Sequence, residues 1–207
     1  MNNNFGYCIA LLGPDGCGKT TLSDAFLKDI GPSFRGVKRY HLRPYAFEQK
    51  DGFGGLPVSK PHDRPPRSFL SSLIKLSLFF IDYTFGYLIT VQKYKAKCCL
   101  VVFDRYYYDL IIDPVRYRFG ASLWIAKLVG KLIKKPDLFI ILTGDPQTIW
   151  ARKKEVSLHE TERQIKAYEE FAKVTKNSLL IHTDRDLSFC SQQVSQYILG
   201  QIAASYE

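Results

Sequence analysis

The sequence predicts a three-layer α/β domain, a five-stranded parallel sheet flanked by helices, on three observations. Short β-rich runs recur along the chain with helical stretches between them. The runs are continuously apolar, ALL, LVVF and LFIIL, as strands covered by helices on both faces must be. A glycine-rich segment, GPDGCGKTT, follows the first run and opens the first helix.

In chain order, Tyr7 to Leu12 is the first strand, and the apolar stretch before the glycine-rich loop reads as that strand rather than as a signal peptide, because no basic region precedes it. Lys19 to Ile30 has helical character and stops at Gly31-Pro32. Val37 to Leu42 is the second strand. From Arg43 to Ser68 neither period is present and proline and glycine are frequent, so a long loop is expected, of the kind that carries function. Phe69 to Val91 is apolar enough for a buried helix. Lys75 and Asp82 interrupt it, and placing both in lipid would cost several kcal/mol, roughly 2.5–3.5 each, so no membrane span is expected. Cys99 to Phe103, Leu138 to Leu142 and Leu179 to Thr183 complete the strands. Helices are expected at Ala121 to Lys135, which ends before Pro136, at Pro146 to Lys154, at Glu160 to Lys176, and at Phe189 to Ala203 with Ser188 as N-cap.

The 207 residues make a single domain, 1–207, large enough to bury its own core. Hydrophobic residues at 46% and charged residues at 24% exclude a disordered, collagenous or coiled-coil chain. A net charge of +9 favours anionic ligands. Cys8, Cys17, Cys98, Cys99 and Cys190 include no CxxC pair, which argues for a reduced, cytoplasmic protein without a zinc site.

Gly13 to Thr21 satisfies GxxxxGKT in the context of strand, loop and helix. Gly13, Gly16 and Gly18 let consecutive backbone N–H groups, with those of Asp15, Cys17 and Thr21, face phosphate oxygens at the positive end of a helix. Lys19 reaches the β- and γ-phosphates of ATP and Thr20 offers a hydroxyl to Mg²⁺. Asp104, at the carboxyl end of CLVVFD, is placed where ligands of open α/β sheets sit and is a second candidate for the metal.

GPDGCGKTT together with FDRY at 103–106 resembles the thymidylate kinase family of P-loop nucleoside monophosphate kinases, over most of the chain. The resemblance implies the P-loop NTPase fold of nucleoside monophosphate kinase type and an ATP- and Mg²⁺-dependent transfer of the γ-phosphoryl group to a nucleoside monophosphate, dTMP or similar. It implies that Lys19, Asp104, Arg105 and Arg152 act in catalysis. By the same resemblance Asp15 faces the acceptor and Arg105 and Arg43 in HLRP anchor its phosphate; Arg116, an extra cation where the family's base-reading residues would stand, and Tyr106, whose ring could stack on a base or sugar, are further candidates for its site. WARKKE, with Arg152 and Lys154, resembles a lid over about 150–164 that could include Arg163. Thymidylate kinases are commonly dimers, so a homodimer through the Phe69–Val91 helix is one expectation.

The acceptor side departs from the family pattern. Leu12 stands where a glutamate commonly precedes the phosphate loop, LFFIDYTFGYLITV lacks the arginine that reads thymine, and DRYYYDLIIDPVRYRFG replaces the usual sequence after DRY. GGLPVSKPHDRPPRS, 54–68, brings Lys60, His62, Arg64 and Arg67 on a proline-stiffened loop. An alternative is therefore a kinase of the same build acting on a sugar or other small metabolite. A third reading, a nucleic-acid-binding ATPase or regulator, is motivated by the charge, but Lys and Arg are scattered and no nucleic-acid motif is present. A small-molecule acceptor, without nucleic acid or membrane, is the expected partner.

Overall fold

Alternate residues of the first strand, β1 (Tyr7–Leu12), enter two different cores, and its sequence is apolar throughout for that reason. The structure is a computed structural model that describes residues 6–44 and 62–204. Cys8, Ala10 and Leu12 face one layer of helices; Tyr7, Ile9 and Leu11 face the other. Beside β1 lie β3 (Cys99–Asp104) and β4 (Leu138–Thr143), and β2 (Gly36–His41) and β5 (Ser178–His182) close the two edges. All neighbours are parallel in the order β2-β3-β1-β4-β5. Connections leave β1 towards one edge and return to the other, so the carboxyl end of β1 is the switch point where such sheets bind ligands.

On one face lie α1 (Lys19–Ile30), α6 (Pro146–Arg152) and α8 (Leu187–Ala204), which bury Leu22, Phe26, Ile149, Val194 and Ile198 in one cluster with Leu11, Leu100, Val102 and Ile140 of the sheet. The other face carries α2 (Phe69–Ile81), a π-helical stretch Asp82–Val91, α3 (Gln92–Ala96), α4 (Tyr108–Ile112) and α5 (Leu123–Leu132). Helix α7 (Leu158–Val174) contributes Tyr168 to this core and Ile165 to the other. Asp145 caps α6, accepting from the Thr148 N–H at 2.7 Å, with Pro146 in the first turn.

Two expectations are corrected here. Ser188 lies inside α8, and the side chain that accepts its N–H, at 2.8 Å, is that of Asp186. The helix expected to be buried over Phe69–Val91 runs on to Ala96 and buries only one face, Leu76, Phe79, Tyr83, Tyr87 and Val91. Ile74, Leu78, Ile81, Phe85 and Leu88 on its other side are 43–57% exposed. This helix is long and apolar enough to cross a membrane by length and composition, yet its inner face packs against the sheet.

Lys75 and Asp82, which break the apolar run, both find partners on the protein. Lys75 donates to the Tyr117 carbonyl at 2.7 Å, and Asp82 pairs with Arg43 at 2.8 Å. The loop 43–68 has no regular structure in its described residues; Lys60 and the rest of 45–61 lie outside them.

Candidate active site

The phosphate loop holds its shape through glycine and through its own lysine. Gly16 has φ +85°, and a Cβ there would stand 2.6 Å from the Ile149 carbonyl oxygen. Gly13 has φ +148°, and a Cβ would meet the Leu142 carbonyl oxygen at 2.6 Å and the Cys17 sulfur at 2.8 Å. No side chain fits either place without moving backbone. The Lys19 ammonium is buried and donates to the Gly13 and Pro14 carbonyls, each at 2.8 Å. Those bonds draw the cation into the loop, against the position of a bound phosphate.

Asp104 ends β3, level with Leu11 of β1. One of its carboxylate oxygens, Oδ1, is buried and has no hydrogen-bond partner. The other lies 3.8 Å from His41 Nδ1. Burial works against the charged form, but the nearby His41 imidazole and the Lys19 and Arg105 charges outweigh it and hold this carboxyl below its usual range. An ionised carboxylate with an orphaned oxygen, next to the exposed Thr20 on the cavity wall, suits a hard cation such as Mg²⁺.

Arg105 follows directly and takes φ +74°, the left-handed region that a side chain rarely enters, at a cost of about 1–3 kcal/mol. Its N–H donates to the Leu11 carbonyl at 3.0 Å. This turn brings the guanidinium to two acids: Asp15, in close contact, and Asp109 at 3.4 Å. Asp109 is fully buried and also accepts from the Tyr106 N–H at 2.8 Å and the Tyr168 hydroxyl at 2.5 Å. Arg116 holds the other oxygen of Asp15 and reaches Glu155 at 3.4 Å. Burial pushes the Asp15 carboxyl up, yet Arg105, Lys19 and Arg116 together hold it well below the usual carboxylate range. Leu42, at the end of β2, is likewise left-handed (φ +67°), and its N–H donates to the Asp104 carbonyl at 2.9 Å.

These groups open onto one cavity of about 950 Å³. Asp15, Gly16, Cys17, Gly18, Lys19, Thr20, Thr21, Asp104, Arg105, Arg116 and Arg152 all line it. Six Lys and Arg side chains face three carboxylates there, which suits a polyanion. Gly13 shapes the loop from behind. Arg43 lies outside, on a second cavity of about 330 Å³ that shares His41, Leu42 and Tyr117 with the first.

Four readings of the sequence are corrected. Tyr106 is completely buried in the core, donating to the Lys134 carbonyl at 2.6 Å, so it touches no substrate. Tyr107 and Tyr108 do the same with Ala126 and Gly130, lashing the end of β3 to α5. Lys153, not Lys154, lines the cavity, while Lys154 sits over the Trp150 ring at 4.7 Å. Arg163 turns away to Glu160 and the Ile112 carbonyl, and His62 pairs with Asp113 at 2.9 Å. Sequence reasoning missed Glu155, Thr183, Arg185 and Leu187, whose approach depends on how the α6–α7 connection and the β5–α8 turn fold back.

No protein-family model and no curated protein matches the chain. Solved structures do match. Thymidylate kinase from Ehrlichia chaffeensis is 17% identical with a TM-score of 0.59, covering 94% of this chain and 99% of its own. Thymidylate kinase from Candida albicans, described as having broad substrate specificity, is 14% identical with a TM-score of 0.63, covering 95% and 92%. The chain therefore has a thymidylate kinase-like fold, the P-loop α/β fold of nucleoside monophosphate kinases.

Proposed function

We propose that this protein is an ATP- and Mg²⁺-dependent kinase that moves the γ-phosphoryl group of ATP to a small acceptor, a nucleoside monophosphate such as dTMP in the first reading. The observation that carries it is the convergence of Lys19, Asp104, Arg105 and Arg152 on one cation-rich cavity with a second pocket beside it. Phosphoryl transfer asks for alignment of two anions and for positive charge around them, and little else from the protein.

The N–H groups of Gly16 to Thr21 bind the ATP phosphates, and Lys19 exchanges its loop carbonyls for phosphate oxygens. Thr20 and Asp104 would hold Mg²⁺, which would supply positive charge against the phosphates during transfer. Arg105 and Arg116, positioned by Asp15, meet the acceptor's anionic group, and Arg152 from the lid reaches the transferring group. Asp15, ionised at neutral pH, accepts hydrogen bonds from these arginines and from an acceptor hydroxyl.

A second reading, an acceptor of sugar or other metabolite chemistry, is favoured by the cations of the smaller pocket. The five cysteines are free thiols, in keeping with a cytoplasmic setting. Ile81, Phe85 and Leu88 leave large apolar side chains exposed on the outer side of the Phe69–Ala96 helix and support a homodimer through that face. The test of nucleotide binding is calorimetric titration with a non-hydrolysable ATP analogue and Mg²⁺. Wild type should bind and Lys19→Ala should not, with its melting temperature kept; equal binding by both would remove the reading.

A further inference from the structure

The smaller cavity borders the phosphate cavity, with His41, Leu42 and Tyr117 in the walls of both, so it is within reach of the far end of an acceptor held at Arg105. At about 330 Å³ it is the size of a small ligand pocket. Phe79, Leu78, Ile74 and Tyr117 give it an apolar floor. Three cations, Arg43, Arg67 and Lys75, line it, and among its described lining residues there is no carboxylate.

Their compensation is uneven. Arg43 is answered by Asp82 at 2.8 Å. Among the described residues the half-buried Lys75 is held by neutral groups, the Tyr117 carbonyl at 2.7 Å and the faces of Phe79 and Tyr117 at 5.6 and 5.3 Å. Arg67 is anchored by its backbone N–H to the Arg118 carbonyl at 2.9 Å, and none of the described acids pairs with its guanidinium. Burial, followed by the charges of Arg67, Arg43 and Arg118, pulls the Lys75 ammonium down to about 8. A partly desolvated cation among cations has no counter-ion among the described residues.

We propose that the acceptor carries a second anionic group, a carboxylate or a further phosphate, at the end away from its accepting group, and that Lys75 and Arg67 bind it while Phe79 and Tyr117 hold the body between. This rests on the kinase reading above and narrows its acceptor. A neutral base such as thymine has nothing to offer Lys75 beyond a carbonyl oxygen, which Tyr117 already supplies. Charge-assisted pairing discriminates well between ligands that differ only by an acid.

Two matched pairs test this by calorimetry on the full chain with the ATP analogue and Mg²⁺ present: dTMP against 5-carboxy-2′-deoxyuridine 5′-monophosphate, and glucose 1-phosphate against glucuronic acid 1-phosphate. In at least one pair the acid-bearing member should bind about tenfold tighter or more, as expected for one charge-assisted bond. The pair that responds tells a nucleotide acceptor from a sugar-acid one. Lys75→Gln should bring the preference below about threefold and Lys75→Arg should restore part of it, a pattern that a misfolded variant would not give. No preference in either pair, or a preference that survives both Lys75→Gln and Arg67→Gln, overturns the inference. The ATP analogue is titrated in parallel: intact ATP binding without acid preference sinks this inference alone, whereas wild-type protein that fails to bind the analogue sinks the kinase reading.

Discussion

Replacing Asp109 by alanine tests the architecture behind the acceptor site. Asp109 lines neither of the two cavities described above, yet it carries a carboxylate against Arg105 at 3.4 Å and accepts from the Tyr106 N–H and the Tyr168 hydroxyl, all in a fully buried setting. Removing one partner of a buried charged pair costs about 3–5 kcal/mol, because the remaining charge loses its compensation. Here the loss is moderated by Asp15, which still holds Arg105, and increased by two donors left without acceptors. The net expectation stays near 3–5 kcal/mol, which for a chain of this size lowers the melting temperature by roughly 6–20 °C. Asp109→Asn keeps the acceptor oxygen and loses the charge, so it should cost roughly 1–3 kcal/mol. In an Arg105→Met background the cost of Asp109→Ala should shrink by at least about 1 kcal/mol, since the charge it answers has gone. The assay is urea unfolding followed by circular dichroism, with thermal melts as a check. A loss under about 1 kcal/mol for Asp109→Ala in the native background would refute the claim that this carboxylate organises the Arg105 turn.

Gly16→Ala places a Cβ against the Ile149 carbonyl in a left-handed residue; it should destabilise the protein by about 2 kcal/mol or more and abolish ATP-analogue binding, read by melting and titration. Asp15 has its ionisation depressed below 3.8 in the folded state, so its stabilisation is complete above that value and is lost as pH falls beneath it; melting temperature should drop between about pH 4 and 2, and Asp15→Asn should flatten that drop, unless the arginine contacts are unimportant, in which case both curves coincide. Phe85→Glu together with Leu88→Glu should convert a dimer to a monomer in light scattering, and a wild-type protein that is already monomeric at high micromolar concentration would end the dimer proposal.

Much of the fold is legible in the sequence because its central strands, β1, β3 and β4, are buried on both faces and therefore read as unbroken apolar runs, and because the phosphate loop is local, with every residue it needs lying between Gly13 and Thr21. The acceptor side is less legible, since it is assembled from segments far apart in the chain. Arg116 and Glu155 meet across 39 residues, and Lys75 reaches Tyr117 across 42. Three consecutive tyrosines after Arg105 look like a ligand surface in one dimension; in three, each hydroxyl finds a carbonyl of α5 or the residues after it, and the rings become core. Lys154 and Arg163 carry the right charge but point to Trp150 and Glu160. The signal that was present and open to another use is the pair Lys75 and Asp82. Charges inside an otherwise apolar helix weigh against lipid, and they also mark the face that lines a polar pocket.

The central claim is that Lys19 and the groups around it transfer phosphate to a small acceptor. The most direct measurement is mass spectrometric detection of products after the protein is incubated with ATP, Mg²⁺ and a panel of nucleoside monophosphates and sugar phosphates, neutral and acidic, beside a Lys19→Ala control. The account predicts a product heavier by one phosphoryl group, with ADP formed in equal amount, in the wild-type reaction only. The same product at the same rate from Lys19→Ala, or no phosphorylated product from any member of the panel, would contradict it.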